Sequence, residues 1–86
     1  MVRQAEIWTW KSCTSTMVLD VSGGGFRVTG EHELALNSFV DLLVTERDGS
    51  TYRFPCRVVW VSPGRGEYGL VLDGLPGVVP SDVQAA

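Results

Sequence analysis

The feature that most constrains this chain is alternation. Apolar and polar residues exchange at every second position in run after run, with turn-forming residues standing between the runs. Period two is the repeat of an extended strand, whose successive side chains point to opposite faces. The first run, about Ala5 to Lys11, puts Trp8 and Trp10 on one face and Ile7 and Thr9 on the other. After "SCTS", the run from Thr16 to Ser22 sets Met17, Leu19 and Val21 on one face and Asp20 and Ser22 on the opposite one. It stops at three consecutive glycines, Gly23 to Gly25, and resumes with Phe26 and Val28 on one side and Arg27 on the other.

Further along, Asp48-Gly49 is a strong short-range hairpin signal between two β-rich arms. In the second arm Tyr52, Phe54, Cys56, Val58 and Trp60 form one apolar stripe, while Arg53, Pro55 and Arg57 alternate with it. "SPGRG" predicts another turn, and "EYGLVLDGL" a last strand with Leu70 and Leu72 on one side. "GEHELALNS" fits either a helical turn or a loop, and "SDVQAA" is long enough only for a frayed helical turn. The expected fold is all-β: a small six-stranded, largely antiparallel barrel with little or no helix, since closure removes the exposed edges that threaten a short all-β chain. Residues 1–86 form one domain, with the barrel over about residues 5–75 and a C-terminal tail over 76–86. Trp60, Phe54, Leu42, Leu19, Phe26 and Leu72 are expected to fill the interior, because a domain this small needs its large apolar side chains inside.

Composition narrows the function. The formal net charge is −3, which opposes binding to DNA or RNA, where phosphates must be neutralised. Six of the seven basic residues are arginines, however, and Arg binds phosphate through two parallel hydrogen bonds. A few arginines suit a small anionic ligand better than a long polyanion. With Cys13 and Cys56 far apart and a single histidine, His32, the ligands for a zinc site are lacking, and no cofactor is implied. The two cysteines are read as reduced. The start "MVRQAEIW" has no apolar signal region and no apolar run approaches a membrane span, so the expected location is the cytoplasm, without membrane insertion. No nucleophile and base stand paired in the sequence, which argues against an enzyme.

The glycine run holds the most informative chemistry. Asp20 and Ser22 are two residues apart on one strand face, and Gly25 follows within the glycines that leave the backbone uncovered. A carboxylate accepts paired hydrogen bonds from a planar donor edge such as that of guanine, and the hydroxyl and amides serve a phosphate. The same residues also make ordinary tight turns in which Asp and Ser bond to nearby backbone.

"DVSGGG", read as Asp20-x-Ser22-x-x-Gly25, resembles the Asp/Asn-x-Ser-x-x-Gly motif of PilZ domains, bacterial receptors for cyclic di-GMP. Phe26 after the last glycine, the Asp48-Gly49 hairpin, "RVVWV" at Arg57 to Val61 and "YGLVLDGL" at Tyr68 to Leu75 agree in order. In the last of these, Leu72 stands where the family's closing strand has an aromatic. The resemblance covers about Ile7 to Leu75 and implies a PilZ-like six-stranded barrel in which Asp20, Ser22 and Gly25 contact guanine and phosphate. It also implies an Arg-x-x-x-Arg pair on an N-terminal arm, and here the sequence departs from the family. Ile7 stands four residues after Arg3, so Arg3 at best takes the place of the second arginine. Arg27, Arg53 and Arg57 lie on the non-core parity and are candidate substitutes, Arg27 being the one next to the motif.

Two functions follow from the resemblance. One is an adaptor that binds a protein partner in motility, pilus or exopolysaccharide control, its nucleotide binding weakened or lost. The other is a working cyclic di-GMP receptor that binds through Asp20, Ser22 and Gly25, with Arg3 or Arg27 completing the site. A third class, an unrelated small barrel that binds peptide or single-stranded nucleic acid, is opposed by the acidic charge and by the lack of an aromatic platform among the outward positions.

Overall fold

The structure, a computed structural model, describes residues 3–30 and 34–79. Among the described residues there are seven strands: β1 Arg3–Trp8, β2 Cys13–Ser22, β3 Gly25–Thr29, β4 Phe39–Thr45, β5 Thr51–Ser62, β6 Glu67–Leu72 and β7 Gly77–Val79. Every pairing is antiparallel, and the order β4-β1-β2-β3-β6-β5 closes on itself through β4 against β5. The result is the expected closed six-stranded barrel. β7 is an addition to it. It pairs with the start of β5, from Thr51 opposite Val79 to Arg53 opposite Gly77, so part of the segment expected to be a tail is a strand. β5, at 12 residues, is long enough to hold β4 along one side while its other side is divided between β7 and β6.

Local chemistry accounts for the turns. Ser22 pairs with Gly25, which leaves Gly23 and Gly24 as a two-residue connection with φ of +54° and +79°. Positive φ at both central positions is the turn whose twist matches two antiparallel strands, and glycine adopts it without a Cβ clash. At the Asp48 hairpin, the Ser50 amide donates to the Asp48 carboxylate at 2.9 Å, which holds that carboxyl below its usual range. Of "GEHELALNS", residues 31–33 lie outside the described residues, and Leu34 to Ser38 form a turn rather than a helix. This turn is tied to β5: the Asn37 amide donates to the Val58 carbonyl at 2.7 Å, and the Val58 amide to the Ser38 carbonyl at 3.0 Å. The "SDVQAA" expectation lies outside the described residues.

The interior is mainly aliphatic, with Tyr68 as an aromatic member. Ile7, Val28, Leu42, Val58 and Leu70 are fully buried with Cys56, and Ala5, Val18, Val40, Val44 and Tyr68 complete the cluster. A ring of six strands encloses less width than the roughly eight that side chains comfortably fill, so short branched residues fit where large ones do not. Of the six residues expected inside, Leu42 is buried. Phe26 and Phe54 pack at the margin with ring centroids 5.3 Å apart. Leu19 and Leu72 are only half-buried, and Trp60 is 40% exposed.

The faces of β2 also reverse the expectation. Thr16 and Val18 point inward and Met17 does not; the Thr16 hydroxyl, buried, donates to the Thr29 carbonyl. Two register shifts then redirect the strand ends. Pairing passes from Val18 opposite Val28 to Asp20 opposite Arg27, leaving Leu19 extra on β2. It passes from Val58 opposite Leu70 to Trp60 opposite Gly69, leaving Val59 extra on β5. One inserted residue exchanges the two faces of everything beyond it. Strict alternation would carry Asp20 inward after Val18 and Trp60 inward after Val58; the two bulges put both outside.

Candidate functional site

The two bulges flank one row of the barrel from either side, and this assembles a site. One row of directly opposed residues crosses four strands: Asp20 on β2, Arg27 on β3, Gly69 on β6 and Trp60 on β5. The next row is Ser22, Gly25, Val71 and Arg57. Opposed residues on antiparallel neighbours share a face. Three inter-strand steps of about 4.8 Å place Asp20 and Trp60 roughly 14 Å apart along the row. Between them is a cleft of about 320 Å³ lined by Asp20, Ser22, Gly25, Arg27, Trp60 and Gly69. That volume is near the low end of small-molecule sites, roughly 300 Å³.

Trp60 is a cleft residue that the sequence does not mark, because alternation places it in the core stripe of β5. Its indole lies directly over Gly69: a Cβ added there would stand 2.0 Å from the Trp60 Nε1 and 2.3 Å from Cε2. Gly69 is therefore a notch that seats the ring against β6 and leaves it 40% exposed on the cleft. The signal in the sequence was the pair Val59 and Trp60 with Gly69 opposite, which is readable only once the bulge is known.

Asp20 and Ser22 are exposed, and among the described residues neither side chain has a hydrogen-bond or ion-pair partner. The turn reading, in which both bond to nearby backbone, is not what the structure contains. The turn itself is fastened from the other side, by the Leu72 amide donating to the Gly24 carbonyl at 2.8 Å. Gly25 sits in β3, where an added Cβ would come within 3.3 Å of the Leu70 carbonyl oxygen. The glycine keeps the backbone low at the cleft and its face open.

The arginines are less available. Arg27 lines the cleft, and its Nη1 is 3.2 Å from Glu67 Oε1. Arg3, on β1 opposite Val18, is bonded to Glu46 and does not line the cleft. Arg53 pairs with Asp41 at 3.1 Å and Arg57 with Asp73 at 3.4 Å, and neither lines it. The structure thus brings Asp20, Ser22, Gly25 and Arg27 together and leaves Arg3 elsewhere.

Other reactive groups are placed apart from this cleft. Cys13 is exposed and Cys56 buried, both free. Burial, with Asp41 and Asp73 nearby, pushes the Cys56 thiol up to about 12, so it stays protonated. Burial and Glu6 raise Cys13 as well. Among the described residues no group of three metal-ligating side chains occurs.

On the β1, β4 and β5 side, away from the cleft, is an aromatic platform that the sequence reading did not expect. Trp10 is 92% exposed, Phe39 70% and Trp8 44%, and the three surround a hollow of about 400 Å³ with Pro55 and Arg53. Trp8 and Phe39 face outward because their strand neighbours Ile7 and Val40 fill the core.

No curated protein and no solved structure matches the chain. A family model described as PilZ domain matches residues 3–84, nearly the whole length. With the closed six-stranded barrel and the match in hand, the chain belongs to the PilZ domain family.

Proposed function

We propose that this PilZ domain, of the family of cyclic di-GMP signalling modules, is a protein-interaction adaptor with weakened nucleotide binding, acting in the cytoplasm in motility, pilus or exopolysaccharide control. One observation carries the reading: among the described residues a single guanidinium, Arg27, lines the cleft, and it is already held by Glu67. Each charge-assisted bond from arginine to phosphate is worth about 1.5 to 3 kcal/mol, so the loss of two lowers affinity by a factor on the order of 10² to 10⁴. The exposed Trp8, Trp10 and Phe39 supply what an adaptor needs, since buried tryptophans dominate protein contacts and a small domain has little reason to leave them in water. A nucleic-acid partner fits this platform less well, because Arg53 beside it is neutralised by Asp41 and the net charge is −3. Among the described residues that line the cleft, none is paired with Ser22 as a base able to activate its hydroxyl, which favours binding over catalysis. Among the described residues no helix is long and apolar enough to cross a membrane.

The test is titration with cyclic di-GMP, followed by calorimetry and by amide shifts. The adaptor predicts no saturable change in the micromolar range. A micromolar dissociation constant with shifts centred on residues 20–27 supports the second reading, a working receptor. That reading is favoured by one observation: among the described residues Asp20 and Ser22 are unpartnered, in the same cleft as the indole of Trp60.

A further inference from the structure

We infer that Glu67 is an internal competitor for Arg27 and sets the affinity of the cleft for phosphate groups. This rests on reading the cleft as a weakened anion site, and it names the residue that weakens it. Arg27 stands opposite Gly69 on β6, with Glu67 two residues to one side and Val71 two residues to the other. Gly25, and next to it Ser22, lie at the Val71 side. The guanidinium is drawn toward Glu67, away from the glycine turn where a phosphate would meet the Ser22 hydroxyl. Four residues of strand separate Glu67 from Val71, roughly 13 Å. Arg27 cannot serve both ends at once.

Burial makes the competition one-sided. The Arg27 side chain is 41% exposed and finds water if released, whereas that of Glu67 is 17% exposed. Among the described residues Glu67 has no other ion-pair partner. A carboxylate so far out of water is costly to leave unpaired, so a phosphate must offset that loss before it gains the guanidinium. The β5 arginines Arg53 and Arg57 are paired with more exposed carboxylates, Asp41 at 34% and Asp73 at 44%, which hold no such grip.

The experiment compares wild type, Glu67→Gln, Arg27→Gln and the double variant, with inorganic pyrophosphate and cyclic di-GMP as separate probes. Readouts are the amide shifts of residues 20–27 and the Arg27 Nε–H resonance. Glu67→Gln keeps the shape of the side chain and removes its charge; Glu67→Ala is measured beside it in case the amide perturbs the hairpin. The expected result is pyrophosphate binding roughly fivefold tighter in Glu67→Gln, the scale set by a partly exposed ion pair, with no gain when Arg27→Gln is also present. A gain that survives Arg27→Gln, or no gain in either Glu67 variant, including no detectable binding in any of the proteins, overturns the inference. The cyclic di-GMP arm judges the parent reading separately: micromolar binding by wild type refutes weakened nucleotide affinity without touching the pyrophosphate ratio.

Discussion

Replacing Gly69 with alanine tests the packing that turns Trp60 into a cleft residue. The new Cβ would meet Trp60 Nε1 at 2.0 Å, Cε2 at 2.3 Å and Cδ1 at 2.5 Å, distances no real contact sustains, so the indole must leave its seat. A packed indole buries about 150 to 250 Å², and Trp60 is 40% exposed, so roughly 90 to 150 Å² is at stake. At about 25 cal/mol per Å² this is about 2 to 4 kcal/mol if all of it were lost. Part is recovered where the ring settles, and alanine in place of glycine in a strand returns about 0.5 to 1 kcal/mol of chain entropy. The net expectation is a destabilisation of about 1 to 2 kcal/mol, a fall in Tm of roughly 5 to 10 °C for a domain of this size. In a Trp60→Ala background the clash is gone and only the entropy term remains, so Gly69→Ala should there be neutral or stabilising by up to about 1 kcal/mol. Urea unfolding of the four proteins, with the Trp60 Nε1–H resonance as the local probe, measures both signs. If Gly69→Ala is neutral in the wild-type background and that resonance does not move, the seat does not exist as described.

Three further outcomes follow from the same geometry. Asp20→Ala with Ser22→Ala should abolish whatever cyclic di-GMP binding calorimetry detects yet leave stability within about 0.5 kcal/mol, because both side chains are exposed and have no partner among the described residues; binding that persists would place the site elsewhere. Trp10→Ala, at a residue 92% exposed, should likewise leave the urea midpoint almost unchanged, and a loss above about 1 kcal/mol would mean that the platform is packed rather than open. The Cys56 thiol has a folded pKa of about 12 against an ordinary value of 9.0, so it favours the folded state fully below about pH 9 and loses that contribution as pH rises toward 12. The urea midpoint should therefore fall more steeply between pH 8 and 10.5 in wild type than in Cys56→Val, and parallel slopes would show the thiol is not buried.

The sequence by itself determined the class of fold and the composition of the cleft's polar half. Period two and the turn chemistry of Gly23, Gly24 and Asp48 are local properties, set by side-chain alternation and by which residues tolerate positive φ, so they are legible without contacts. For the same reason Asp20, Ser22 and Gly25 could be grouped from their spacing alone. What only the tertiary structure decided is which way each strand faces. Alternation sorts residues into two sets but does not say which set is inside, and a single extra residue exchanges them. Thus Val18 rather than Leu19 entered the core. Trp60, the largest member of an apolar stripe, was turned out by the bulge at Val59 to lie over Gly69. Arginine availability is likewise a tertiary fact, since Arg27 and Glu67 are distant in the chain and meet only because β3 lies against β6. Register depends on partners from elsewhere in the chain, and a strand read alone contains none of them.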